Sequence, residues 1–296
     1  MKSDNFRSGY VSITGRPNVG KSTLLNTILG EKVTIVTPKP QTTRNRIIGI
    51  KTTSTAQIIF IDTPGIHKPK HMLGELMVRE AKEAVKEVDI ILFLVDPADP
   101  RFGDLSIIEN IAPLKKPVFL LINKVDTIKK PQLLPIIEKY SGLYPFSEII
   151  PISAIKGDGI EMLLQKIVTY LPEGPKYYPD DLVTDQLERF MVSEIVREKL
   201  MQMTEEEVPH SAATEIVEWK EREDGVIFIK VNIYVEREGQ KGIIIGKGGD
   251  KLKAVGSKAR LEIERLLGTK VFLELWVKIK KDWRSNESML KGLGFK

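Results

Sequence analysis

The chain has 296 residues, 42% hydrophobic and 29% charged, the balance of a globular protein with apolar material for about two domains. It has no cysteine, which excludes a disulfide framework, thiolate zinc sites and cysteine nucleophiles, and fits a reducing interior. Net charge is +5 but unevenly spread: residues 181–238 carry 7 Lys+Arg against 15 Asp+Glu, and residues 239–296 carry 14 against 6. Such a basic end suits a polyanion, or is simply a solvated lysine-rich face.

Met1–Ser8 lacks the apolar core of a signal peptide. The longest apolar run, 89–95, is far short of the ~20 residues that cross a bilayer, so a cytoplasmic location is expected. In chain order, Tyr10–Thr14 reads as a strand, followed by a glycine-containing loop and a helix over Ser22–Leu29. Ile58–Ile61 is a strand, Leu76–Val88 a Lys/Glu-rich helix, and Ile90–Val95, Val118–Ile122 and Ile149–Ile152 are further apolar strands. A helix over Glu161–Tyr170 closes the segment. Continuously apolar strands alternating with helices predict an α/β fold, a doubly wound and mostly parallel sheet covered on both faces, over residues 1–171. Three prolines and a glycine within Leu171–Asp180 predict a linker at 172–181. Residues 182–296 change order: a helix over Asp185–Met203, strands over Ala212–Glu221 and Val226–Glu236, a helix over Asp250–Leu267 and a strand over Lys270–Lys278. This is a smaller α+β domain ending in a basic helix.

Four motifs mark the first domain. Gly15, Arg16, Pro17, Asn18, Val19, Gly20, Lys21 and Ser22, with Thr23 behind them, match the phosphate-binding loop, directly after a strand and before a helix. There the backbone N–H groups and the helix dipole cradle phosphates, Lys21 reaches the outer ones, and the Ser22 hydroxyl faces Mg²⁺. Asp62, Thr63, Pro64 and Gly65 end the second strand, where Asp62 can hold the metal through its water shell and Gly65 can offer its N–H to a γ-phosphate oxygen. Asn123, Lys124, Val125 and Asp126 select the base. The Asp126 carboxylate can accept from guanine N1–H and N2–H₂, whereas adenine would leave it unpaired at a cost of at least ~1–3 kcal/mol. Lys124 can lie over the ring, and Asn123 can bond the base edge or tie the loops together. Ser153, Ala154 and Ile155 follow the last strand, with the Ala154 N–H expected to face the guanine oxygen. The expected ligands are therefore GTP or GDP with Mg²⁺.

For the chemistry, Lys21 and Gly65 are candidate catalytic groups, and Thr43, preferred over Thr42, is expected to complete the metal set with Ser22 and Asp62. Asn18 either helps to hold a monovalent cation such as K⁺ or caps loop backbone. Ile66 stands where some GTPases carry a water-orienting glutamine, so slow intrinsic turnover is expected. His67 and His71 read as solvated. In the second domain, Ile245, Gly246, Lys247, Gly248 and Gly249 form a GxxG turn at a helix start, with Lys251 beside it. In KH domains such a loop lies against nucleic-acid backbone. Lys280, Trp283 and Arg284 in the tail are candidates for RNA contact or for anionic lipid. Trp283 and Arg284 could stack on a base, but packing onto the sheet of the second domain is the expected role of at least one tail tryptophan.

With Gln41-Thr-Thr-Arg44 added, these motifs make the whole chain resemble the Era family of bacterial GTPases. The resemblance implies a P-loop G domain followed by a type II KH domain. It also implies a monomer that binds the 3′ end of small-subunit (16S) ribosomal RNA during assembly of the 30S subunit, with the GTP state permitting RNA binding and RNA stimulating hydrolysis. Peripheral association with the anionic inner-membrane surface is implied as well. A transfer-RNA-modifying relative would carry a C-terminal cysteine motif, and a tandem ribosome GTPase a second phosphate loop; this chain has neither. An RNA-binding assembly factor that only senses GTP remains the alternative.

Overall fold

The computed structural model describes residues 6–66, 69–98 and 103–295, so that His67 lies outside the described residues. The chain forms two compact units. The first takes in the described parts of Met1–Thr34, Thr43–Lys68 and Met77–Asp185, the second Ile35–Thr42, Pro69–Leu76 and the described part of Gln186–Lys296.

The first unit is built on β1 (Arg7–Gly15), α1 (Lys21–Leu29), β2 (Ile47–Thr52), β3 (Ala56–Asp62), α2 (Met72–Ala84), β4 (Ile90–Val95), α3 (Gly103–Ile111), β5 (Val118–Ile122), α4 (Leu133–Ser141), β6 (Glu148–Pro151) and α5 (Ile160–Tyr170). Its six strands run in the order β2-β3-β1-β4-β5-β6. All pairs are parallel except β2 with β3. Every residue of β3, β4 and β5 is buried, which is why these runs are apolar without alternation. Three elements were not anticipated. In β2 the apolar run is interrupted by Gly49, a residue that weakens a strand signal. The helices α3 and α4 span only nine residues each, too short for a clear helical period.

Residues 172–184 are fastened to this unit. Gly174 N–H donates to the Phe6 carbonyl (3.1 Å), Ser8 Oγ to the Pro175 carbonyl (2.6 Å), and Ile50 N–H on β2 to the Val183 carbonyl (2.7 Å). The buried Gln57 side chain accepts from the N–H groups of Tyr177 (2.7 Å) and Tyr178 (3.0 Å) and donates to the Tyr178 carbonyl (2.9 Å). The segment covers the edge of the sheet at β2, where an open row of N–H and C=O groups would otherwise stand.

The second unit contains α6 (Glu188–Met203), α7 (Val208–Ser211), β7 (Ala213–Glu221), β8 (Ile227–Val235), α8 (Glu238–Ile245), α9 (Asp250–Leu267), β9 (Val271–Ile279) and α10 (Glu287–Gly292). Its sheet is β7-β8-β9, with the first pair antiparallel and the second parallel. Alternate residues of β8, Ile229, Val231, Ile233 and Val235, pack with Val196, Leu200, Val255, Ala259 and Ile263 into one core. The α8–turn–α9 order before a parallel β9 is that of a type II KH domain.

Candidate functional site

Each nucleotide motif sits at the carboxyl end of a parallel strand, where open α/β sheets bind ligands: Gly15 ends β1, Asp62 ends β3, Asn123 follows β5 and Ser153 follows β6. The loop from Gly15 to Ser22 turns through Asn18 and Gly20, both in left-handed conformation (φ 65° and 103°). Lys21 is buried, its ammonium donating to the carbonyls of Gly15 (3.2 Å) and Arg16 (3.0 Å). Burial pushes its pKa from 10.5 down to about 8, and the nearby Asp62 charge offsets this only in part.

Three oxygens expected to serve the metal come together. Ser22 Oγ donates to Asp62 Oδ2 at 2.7 Å and lies 2.8 Å from Thr43 Oγ1, which donates to the same carboxylate oxygen at 3.3 Å. Thr42 does not share this place: its hydroxyl donates to the Lys39 carbonyl at 2.6 Å. Burial pushes the Asp62 carboxyl up against the pull of Lys21. Asp62 Oδ1 is buried and has no hydrogen-bond partner among the described residues, an acceptor that a metal-bound water would satisfy. Two hydroxyls and a carboxylate are a hard oxygen set of the kind Mg²⁺ takes. Gly65 touches the phosphate loop: a Cβ at this position would stand 2.8 Å from Pro17 N and 2.9 Å from Pro17 Cα, so only glycine fits. Thr63 is buried beside it, its hydroxyl on the Ile13 carbonyl.

On the base side, Asn123 ties the loops together, donating to the Val19 carbonyl (2.7 Å). Its Oδ1 accepts the Ala154 N–H at 2.9 Å, so that this N–H is engaged by the protein instead of facing outward as expected. The reason is local: Asn123 is buried, and its amide oxygen needs a donor. Ser153 Oγ donates to Asp126 Oδ1 (2.6 Å), and this bond holds the exposed Asp126 carboxyl below its ordinary pKa. The carboxylate is thereby kept charged and acceptor-only, as the expected reading of guanine requires. Lys124 donates to the Asn18 carbonyl (2.8 Å) and to Asp96 Oδ2 (2.7 Å). Ile155 is exposed, and Val125 and Ile66, both half-buried, pack against the core formed by residues such as Phe93 and Val95. Two residues bracing this site escaped the sequence reading. Asp96 follows the last residue of β4, a position that in a parallel sheet is itself a signal; Asp104, discussed below, carried none.

In the second unit, Gly246 (φ 76°), Gly248 (φ 62°) and Gly249 (φ 86°) take positive φ between α8 and α9. A Cβ on Gly248 or Gly249 would meet nothing within 4 Å, so the turn presents bare backbone to an open approach. Lys247 is exposed at its tip, Lys251 begins the face of α9, and Ile245 is half-buried below. In the tail, the structure decides between the two roles open to Trp283. Trp283 is fully buried, with Nε1 donating to the Ser211 carbonyl at 2.8 Å, and therefore cannot stack on a base. An indole of this size gains more from the core than from solvent, provided its N–H finds a partner. Arg284 is ion-paired with Glu236. Lys280 is exposed.

Fold and site together define a guanine-nucleotide P-loop domain joined in one chain to a KH domain. Two family models match accordingly, a "50S ribosome-binding GTPase" model over residues 10–124 and a KH-domain model over residues 207–284. The chain is 55% identical over 293 residues to the GTPase Era of Ruminiclostridium cellulolyticum, covering 99% of this chain and 98% of that one. It is 53% identical over 292 residues to the GTPase Era of Clostridium botulinum (strain Hall), covering 98% and 99%. Among solved structures it is similar to Era in complex with MgGDPNP and nucleotides 1506–1542 of 16S ribosomal RNA (TM-score 0.95, 47% identity, 98% of this chain and 99% of that one). The same coverage, identity and TM-score hold for a tyrosine-to-alanine variant of Aquifex aeolicus Era bound to GDP·AlF4⁻. The chain belongs to the Era family of GTPases, and it hydrolyses GTP.

Proposed function

We propose that this GTPase couples its nucleotide state to binding of the 3′ end of small-subunit ribosomal RNA and acts in assembly of the 30S subunit. The observation that carries the reading is the open GxxG turn at Gly246–Gly249 in a chain similar, over nearly its whole length, to an Era that holds MgGDPNP and 16S RNA together. Ser22, Thr43 and Asp62 are the residues that would hold Mg²⁺, which when bound neutralises charge on the phosphate oxygens. Lys21 leaves the loop carbonyls for the outer phosphates, and the Gly65 N–H faces the γ-phosphate. Thr43, beside the Ser22 and Asp62 oxygens, and Gly65, against Pro17 of the phosphate loop, would both meet that phosphate and so would carry its presence or loss into the loops that follow them. Ile66 offers no polar group to the attacking water, in keeping with slow turnover until RNA binds. Asn18, exposed beside the phosphates, is proposed to help hold K⁺; equal hydrolysis rates in K⁺ and Na⁺ would remove that role.

On the RNA side, Gly246, Lys247, Gly248 and Gly249 take the backbone, Lys251 and Lys280 add charge, and Ile245 lines the groove. The protein is proposed to work as a cytoplasmic monomer. Burial of Trp283 argues against this tail inserting into lipid. The test is fluorescence anisotropy of a labelled RNA matching the 3′ end of 16S RNA, with GDP and with a non-hydrolysable GTP analogue. Tight binding only with the analogue is expected. Equal or absent binding in both states would remove the coupling, and binding to anionic vesicles without RNA would reassign the tail.

A further inference from the structure

Besides Ser22, whose hydroxyl meets Asp62 and Thr43, the phosphate loop is tied to its surroundings through Val19, Asn18 and Arg16. Asn123 holds the Val19 carbonyl and Lys124 the Asn18 carbonyl, and both belong to the base-reading motif. The third tie lies outside every nucleotide motif. Arg16 Nε donates to Asp104 Oδ1 at 2.7 Å, and Tyr140 Oη donates to Asp104 Oδ2 at 2.7 Å. Asp104 lies in the first turn of α3 and Tyr140 in the last turn of α4. Both are buried, at 2% exposure each, and the Arg16 side chain is 12% exposed. Burial pushes the Tyr140 hydroxyl up, and the Asp104 carboxylate beside it pushes it further, so the phenol stays a donor at any working pH.

We infer that Arg16, Asp104 and Tyr140 form a positioning device for GTP hydrolysis. A guanidinium next to the phosphate site would by itself be drawn to the phosphates. Asp104 engages it instead, and the phenol occupies the carboxylate's second oxygen, which leaves the carboxylate no tendency to turn away. What is fixed is the backbone of residues 16 and 17. The Arg16 carbonyl is one of the two that hold the Lys21 ammonium, and Pro17 is the surface against which Gly65 closes. One buried carboxylate on α3 therefore sets the surface against which the γ-phosphate-facing glycine closes, and the carbonyl that holds the lysine until nucleotide draws it away. A displacement on the order of 1 Å in such groups can cost ~10²-fold in rate while ground-state binding, spread over many loop N–H groups, changes little. Asp104 and Tyr140 touch no substrate and act through Arg16.

Full-length Arg16→Gln, Asp104→Asn, Tyr140→Phe and the Arg16→Gln/Asp104→Asn pair are compared with the parent protein at a temperature where circular dichroism shows each folded. Affinity for GDP and for a non-hydrolysable GTP analogue is read beside single-turnover hydrolysis. The expected result is affinity within roughly threefold and hydrolysis lowered roughly tenfold or more in Arg16→Gln and Asp104→Asn, with a smaller loss in Tyr140→Phe. The pair should be no slower than the slower single variant, because the residues act as one unit. Hydrolysis unchanged in folded variants, affinity falling as far as hydrolysis, or losses that multiply in the pair would each overturn the assignment. If Asp104→Asn does not fold, Arg16→Lys and Tyr140→Phe carry the same comparison, since both keep the packing.

Discussion

Lys21 shows how one side chain is made ready for its ligand. Its ammonium is buried against two backbone carbonyls, and desolvation lowers its pKa to about 8. Phosphate oxygens favour the charged form, so nucleotide must raise the value again. In an NMR titration of the nucleotide-free protein, the Lys21 side chain should show a midpoint near 8 that moves upward when GDP is added; a midpoint at the ordinary lysine value would contradict the burial argument. The folded value lies below the unfolded 10.5, so the nucleotide-free protein should also gain stability as pH rises from about 8 towards 10.5. Asp126 is the second residue with a sharp consequence. Replacing it by Asn substitutes a donor for the carboxylate oxygen that reads guanine, and preference should swap from guanine towards xanthine nucleotides. Competition binding with GTP and XTP measures this, and unchanged GTP affinity would remove the assignment of the base.

Among the elements, the segment after α5 departs most from its composition. Its prolines and glycine read as a linker, yet Gln57 and β2 fasten it to the first unit. Gln57→Ala removes three hydrogen bonds that the buried amide makes to Tyr177 and Tyr178, and should lower stability of the nucleotide-binding unit by about 1–3 kcal/mol. Urea unfolding in the presence of GDP reads that loss, and a variant as stable as the parent would mean the bonds are exchanged for water at no cost. The GxxG turn makes the opposite kind of demand. It supports no core, so Lys247→Asp with Gly248→Asp should abolish RNA binding by charge and by a side chain in the open approach, and leave GTP affinity intact. Anisotropy with 3′-terminal 16S RNA, beside a GTP-binding assay, separates the two effects.

For the whole molecule, the proposed coupling carries an obligation that no single site reveals. If GTP tightens RNA binding by some factor, RNA must tighten GTP binding by the same factor. Calorimetric titration of a non-hydrolysable GTP analogue, with and without saturating RNA, should return the ratio found in the RNA titrations. A ratio of one in either direction ends the coupling, although hydrolysis itself need not follow the same symmetry.

The motifs and the fold class were legible in the chain because each is local. Gly15–Ser22, Asp62–Gly65, Asn123–Asp126 and Gly246–Gly249 are short runs whose chemistry depends on neighbours in sequence, and the apolar strands between them signal a buried parallel sheet. What could not be read there was decided by groups far apart in the chain that share one burial site. Asp104 meets Arg16 across 88 positions and Tyr140 across 36, and Gln57 meets Tyr177 across 120. That a tail tryptophan would pack inside was readable; that it is Trp283, with its N–H accepted by Ser211, 72 positions earlier, was not. A buried polar group must find a partner, and which partner is within reach depends on how the chain packs.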